Sequence, residues 1–174
     1  MRPLRMRRIL FPVATFAAVA IYVIWWVTYA GIHYEPRYSI RPPGAAAEVR
    51  GTSIRLVSLV RSGQLADANG GPPELPYPGA VWVVAEFESL RDDPVEKLSC
   101  SSTSLLGPQG RLWDPEMFRV ERLKECQTDN PVGQVVRYES IYMVPARYAD
   151  QLIGVAVEDH SSAAPTPVLR PPLP

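Results

Sequence analysis

Hydrophobic and polar positions divide the chain into one unbroken apolar run and a longer body in which they alternate. The run, Ile9 to Ile32, holds no charged side chain in 24 residues. As a helix rising about 1.5 Å per residue it would reach about 36 Å, more than a hydrocarbon core of about 30 Å. The pattern predicts a transmembrane helix over 9–32, with Pro12 tolerated in its first turn. Tyr22, Trp25, Trp26 and Tyr29 gather toward one end, and such amphipathic rings favour the headgroup level.

The body alternates with the period of strands. In Ala80 to Leu90, Val81, Val83, Ala85 and Phe87 share one face while Glu86 and Glu88 take the other. Ser53 to Val60 reads as a preceding strand. Between them Ser62 to Gly79 is a long loop, with prolines at 72, 73, 76 and 78 and an Asn69-Gly70-Gly71 turn signal. Val95 to Leu106 is expected to pair across Gly107–Gly110 with Arg111-Leu112-Trp113. Asp114-Pro115-Glu116 carries the signals of a helix start and predicts a short helix to about Glu125. Val135 to Val144 forms a long strand with Tyr138, Ser140, Tyr142 and Val144 on one face. A single turn over 146–150 then leads to Leu152–Val157 as the last strand.

Composition frames these elements. His33 to Arg50, with three prolines and no periodicity, reads as a juxtamembrane linker, and Ser161 to Pro174, with five prolines, as a disordered tail. The predicted organisation is a cytoplasmic basic flank (1–8), the helix (9–32), the linker (33–50), an extracytoplasmic domain (51–160) and the tail (161–174). Short strands with Pro/Gly turns over about 110 residues argue an all-β immunoglobulin-like sandwich with one short helix, following an N-terminal transmembrane helix.

Charge orients the whole. Arg2, Arg5, Arg7 and Arg8 precede the apolar run without an acid, which keeps that flank cytoplasmic and makes Arg7 and Arg8 interface anchors along with Trp25, Trp26 and Tyr29. Four of the eighteen basic residues lie there and all eighteen acids follow, so the exported part carries −4. That balance opposes nucleic acid as a partner. A secreted alternative, cleaved at Ala30, has small residues in place but an apolar run longer than the 7–15 residues or so of a signal peptide. Cys100 and Cys126, the chain's two cysteines, fall in the exported part, where one disulfide is the default. Closing that loop would contribute about 3.5 kcal/mol in the chain-entropy model.

Candidate chemistry is sparse. His33 and His160 flank the body, so neither serves a Ser-His-Asp arrangement within it. Glu86 and Glu88, about 7 Å apart on one strand face, have a spacing suited to carboxylate hydrolysis but read first as the wet side of a half-buried strand. No phosphate-cradling glycine motif, metal-ligand spacing or cofactor signature is present. Tyr77 and Trp82 are candidate contact residues, Trp82 lying either exposed or packed under the 62–79 loop; that loop and 127–134 are the segments expected to make contacts.

The order of segments resembles a group of bacterial extracytoplasmic domains with a telokin-like immunoglobulin fold. The matching pieces are the strand Val81–Phe87, the turn Asp92-Asp93-Pro94-Val95, Leu105–Gly110, and Tyr142-Met143-Val144-Pro145 followed by Leu152–Val157. The likeness spans about residues 51–159 and departs at Ser89-Leu90, where the group has Asn, and at Gly107, where Asp is common. It implies an extracytoplasmic location and a binding-module role without naming a ligand; the chain as a whole is expected to be non-enzymatic, to engage the lipid bilayer through 9–32 and to have an envelope or membrane protein as partner.

Overall fold

A computed structural model describes residues 3–33, 38–67, 70–92, 103–116, 131–158 and 164–173. The chain divides into two compact units, Met1–Pro36 and Arg37–Pro174. The described residues of the first form one helix, α1, Pro3–His33, 31 residues long. Its side chains are described over 15–30. Among the described residues no helix is long and apolar enough to cross a membrane.

The second unit is a β-sandwich, with nine strands among its described residues: β1 (Tyr38–Ile40), β2 (Ala47–Val49), β3 (Thr52–Ser62), β4 (Ala80–Arg91), β5 (Thr103–Leu106), β6 (Leu112–Trp113), β7 (Val135–Pro145), β8 (Gly154–Val157) and β9 (Thr166–Leu169). One sheet has the order β1-β9-β8-β5-β6 and the other β2-β3-β4-β7. The period-two pattern of β4 and β7 decides how they meet. Val83, Ala85 and Phe87 face inward with Tyr138, Tyr142 and Val144, and they join Leu105, Val155, Val157 and Leu169 of the other sheet in one buried core. Phe87 lies directly opposite Tyr138, their rings stacked with centroids 5.1 Å apart. Such a pair adds about 0.5–1.5 kcal/mol beyond its burial. The Tyr142 hydroxyl donates to Thr103 Oγ1 at 3.1 Å, tying the two sheets through the core. Burial pushes the Tyr142 phenol up to about 12, and it raises that of Tyr138 as well.

Turns follow glycine chemistry. Pro43-Gly44 and Pro78-Gly79 each fill the middle of a four-residue turn, closed by Ala45 N–H to Pro42 O (3.1 Å) and Ala80 N–H to Tyr77 O (2.9 Å). Gly44 and Gly79 have φ of +72° and +82°. Proline then a positive-φ glycine is the type II pattern.

Three expectations are corrected. The 33–50 linker is not structureless: β1 pairs in parallel with β9, and β2 antiparallel with β3. Ala47 and Val49 enter the core, which three-residue segments achieve by pairing rather than by visible periodicity. The 161–174 tail is not disordered over its length, because Val168 and Leu169 are fully buried in β9 between β1 and β8. Leu152–Val157 is therefore not the last strand. The helix expected from Asp114 does not begin there: 114–116 run irregularly, with Glu116 N–H bonded to Ile141 O at 2.7 Å, and 117–125 lie outside the described residues. Cys100 and Cys126 also lie outside them.

Candidate functional site

The 62–79 segment is long and proline-rich, yet it is held at defined points. Leu65 is buried, and Leu65 and Glu74 exchange two backbone hydrogen bonds of 2.9 Å. Glu74 O also accepts from Trp82 Nε1 at 3.2 Å. Trp82 alternates off the core face of β4 and is nonetheless fully buried. The loop covers it, so Trp82 is a support for the loop and not an exposed contact. Three residues later the Tyr77–Ala80 turn fixes the chain again, and Ala146 N–H reaches Gly79 O at 2.8 Å from the 3-10 turn Ala146–Gln151.

Between these fixed points the loop presents Leu75, 67% exposed, and Tyr77, 58% exposed. Large apolar groups displayed by a backbone that is already ordered lose little further freedom when a partner covers them. Tyr77, expected as a contact residue, is thus exposed. Leu75 was missed in the sequence because nothing in PPELPYPG distinguishes an outward leucine from one folded under the loop. The other expected contact segment is described only from residue 131. There Val132 bridges Arg91, and Gly133 N–H bonds Arg91 O at 2.8 Å, closing that loop against the end of β4.

Glu86 and Glu88 sit on the outer face of the β2-β3-β4-β7 sheet. Glu88 is aligned with Arg55 on β3 and Arg137 on β7, and its carboxylate is paired with both, Arg137 Nε at 2.9 Å. Hydrogen bonds from Arg55 and then Arg137 hold its pKa below the ordinary value. A catalytic acid needs the opposite shift. Ser104, buried, has Asp114 Oδ1 at 3.1 Å and Glu158 Oε1 at 3.2 Å, which engages its hydroxyl on two carboxylates. Among the described residues no group of three or more His, Cys, Asp or Glu is suited to hold a metal ion.

On α1, Trp25, Trp26 and Tyr29 are exposed, with Trp25 and Tyr29 stacked at 5.4 Å and Tyr22 stacked on Trp26 at 6.5 Å. Arg7 and Arg8 belong to the same helix, at positions whose side chains are outside the described set.

No family model matches the chain. No curated protein matches it either. Two solved structures are similar in fold. One is a conserved hypothetical protein from Bacillus anthracis, 12% identical, with a TM-score of 0.51 over 71% of this chain and 92% of that one. The other is an uncharacterised β-sandwich protein from Clostridium difficile 630, 10% identical, with a TM-score of 0.51 over 78% of this chain and 95% of that one. The likeness shows a β-sandwich fold.

Proposed function

We propose that the protein is a membrane-anchored binding module of the cell envelope that acts by non-covalent contact through the 62–79 loop. The observation that carries this reading is the display of Leu75 and Tyr77 on a loop pinned at Glu74, Tyr77 and Gly79. Binding residues concentrate on loops held by a rigid scaffold.

The anchor rests on α1. Its 9–32 stretch carries no charge, and Phe16, Ile21, Ile24 and Val27 are more than three-fifths exposed along it. A helix apolar on every side requires lipid or protein around it. Arg2, Arg5, Arg7 and Arg8 at one end and the aromatic group at the other favour insertion with the N-terminus inside. The sandwich then works outside, in the manner of the telokin-like immunoglobulin group that its segments resemble, and Cys100 and Cys126 form a bridge there. Glu88, held ionised between two arginines, speaks against the carboxylate-hydrolase alternative.

The test is crosslinking in intact membranes followed by purification of the full chain. Wild type should bring down a neighbour that the Leu75→Ala/Tyr77→Ala double variant loses at unchanged abundance. The anchored form should also retain residues before Ala30 and show no reactive thiol until reduced. A body found inside the cell, or undiminished capture by the double variant, refutes the proposal.

A further inference from the structure

Arginine side chains on this sandwich meet two fates. On the outer face of the four-stranded sheet, Arg55 and Arg137 are paired with Glu88, and at the end of β3 Arg61 is paired with Asp150. Arg111 and Arg147 instead converge on one aromatic ring. Their guanidinium carbons lie 4.5 Å and 4.8 Å from the centroid of Tyr148, and Arg111 Nη1 donates to the Tyr148 hydroxyl. Among the described residues neither guanidinium has a carboxylate partner. Two like charges are therefore held no more than about 9.3 Å apart, close to the screening length of about 8 Å at physiological salt.

The ring that gathers them is itself supported. Trp113 packs against Tyr148 with centroids 5.9 Å apart. The indole occupies the space over Gly107, where a Cβ would fall 2.4 Å from its Cζ3. Gly107 N–H bonds Arg111 O at 2.8 Å and closes the hairpin that carries Arg111. Hairpin, indole, phenol and both guanidiniums thus form one assembly on the sandwich surface.

Its place in the fold points to the ligand. The hairpin lies at the Leu106 end of β5, which pairs with the Gly154 end of β8. The chain enters the sandwich at the other end, where Tyr38 is aligned with Thr166. The assembly therefore lies at the opposite end of that sheet from Tyr38 and Thr166. It is also continuous with the pinned loop, since Ala146 N–H bonds Gly79 O immediately before Arg147.

Resting on the binding role proposed above, we infer that Arg111, Tyr148 and Arg147 form a site for the acidic side chains of a partner peptide whose apolar residues cover Leu75 and Tyr77. A guanidinium over an aromatic ring keeps N–H donors for carboxylates, Arg111 giving the Tyr148 hydroxyl one of its five. The exported part carries a net −4, which repels an extended polyanion such as an anionic bilayer but leaves a short acidic segment dependent on this local patch alone.

The test places benzoylphenylalanine at exposed Leu112, next to Arg111, in the full chain in its own membrane, and sequences the photocrosslinked peptide. The expected adduct is a segment rich in Asp and Glu. Arg147→Glu should cut its yield about tenfold or more, as should Arg111→Glu, whereas Arg111→Lys and Arg147→Lys, which keep the charge but not the planar fork, should lose less. Arg147 is exposed and takes no part in closing the hairpin, so Arg147→Glu decides the matter should Arg111→Glu fail to accumulate. An unchanged yield in Arg147→Glu, an adduct without acidic residues, or an adduct on phospholipid overturns the inference. Loss of capture in the Leu75/Tyr77 variant together with indifference to Arg147→Glu would sink this site while leaving the binding role standing.

Discussion

Replacing Trp82 by Phe asks whether a side chain on the solvent side of a strand fixes the 62–79 loop. The substitution keeps an aromatic ring and removes the Nε1–H that Glu74 O accepts at 3.2 Å. A neutral hydrogen bond of this kind contributes about 0.5–1.5 kcal/mol net. Glu74 O still accepts from Leu65 N–H, so no orphaned carbonyl adds to the loss. Phe is smaller than Trp by about 40 Å³, and at about 24 cal/mol per Å³ the residual cavity costs about 1 kcal/mol. Together these give about 2 kcal/mol, against about 3–5 kcal/mol for Trp82→Ala. With a urea dependence of about 2 kcal/mol per M, the unfolding midpoint of the full chain in detergent micelles should fall by about 1 M in Trp82→Phe. Circular dichroism of the strands reports it. Amide exchange at Leu65 and Glu74 should accelerate more than at β4 and β7, because the loop is released before the sheets are. A midpoint within about 0.3 M of wild type, with both loop amides protected as before, would show that the indole merely fills space and does not hold the loop.

Two further perturbations bear on the scaffold. The Glu88 pKa is lowered by Arg55 and Arg137, so its contribution is present above the ordinary value of 4.5 and is lost as pH falls through the lower folded value. Acid titration of stability should therefore be shallower in Glu88→Gln than in wild type below pH 4.5, with the two curves parallel at neutral pH. In Gly154→Ala the new Cβ would stand 2.2 Å from the backbone oxygen of Leu169 and 3.0 Å from Val168 Cγ1, forcing β8 from β9. The thermal midpoint should fall by several degrees or the chain should fail to accumulate, whereas Gly63→Ala, which meets nothing within 4 Å, should be nearly neutral.

Where a strand's two faces meet different surroundings, the sequence announces it. β4 reads correctly from its alternation because Val83, Ala85 and Phe87 face a core while Glu86 and Glu88 face solvent. β7 reads correctly for the same reason. β1, β2 and β9 escape because three or four residues give no period to detect, and their registers are set by partners distant in the chain. Pro167 misleads most, since proline in an interior strand removes a ladder donor. Here β9 pairs with β8 only at Val168 and Leu169, so Pro167 lies past the end of that ladder and its missing N–H is not required.

The candidate site divides along the same line. Tyr77 was accessible to reasoning because amphipathic rings carried on loops are favoured at interfaces. Trp82 was open to two readings, and the burial of Leu65 with the Glu74 carbonyl decides between them. The Arg111–Tyr148–Arg147 assembly was invisible because 37 positions separate its hairpin from its ring. Only the pairing of β5 with β6 and β8 brings Arg111 to the 3-10 turn. Strand registers place Arg55, Glu88 and Arg137 in a single row, where charge is satisfied internally and adds to the sheet. Turns do the reverse. At the end built from Pro78-Gly79, the 107–111 hairpin and Ala146–Gln151, backbone bonds close among the turns themselves and leave guanidiniums and large apolar groups facing outward together. Among the described residues the Arg111–Tyr148–Arg147 group at that end holds two guanidiniums without a carboxylate partner, and that is where the acidic partner inferred above would be met.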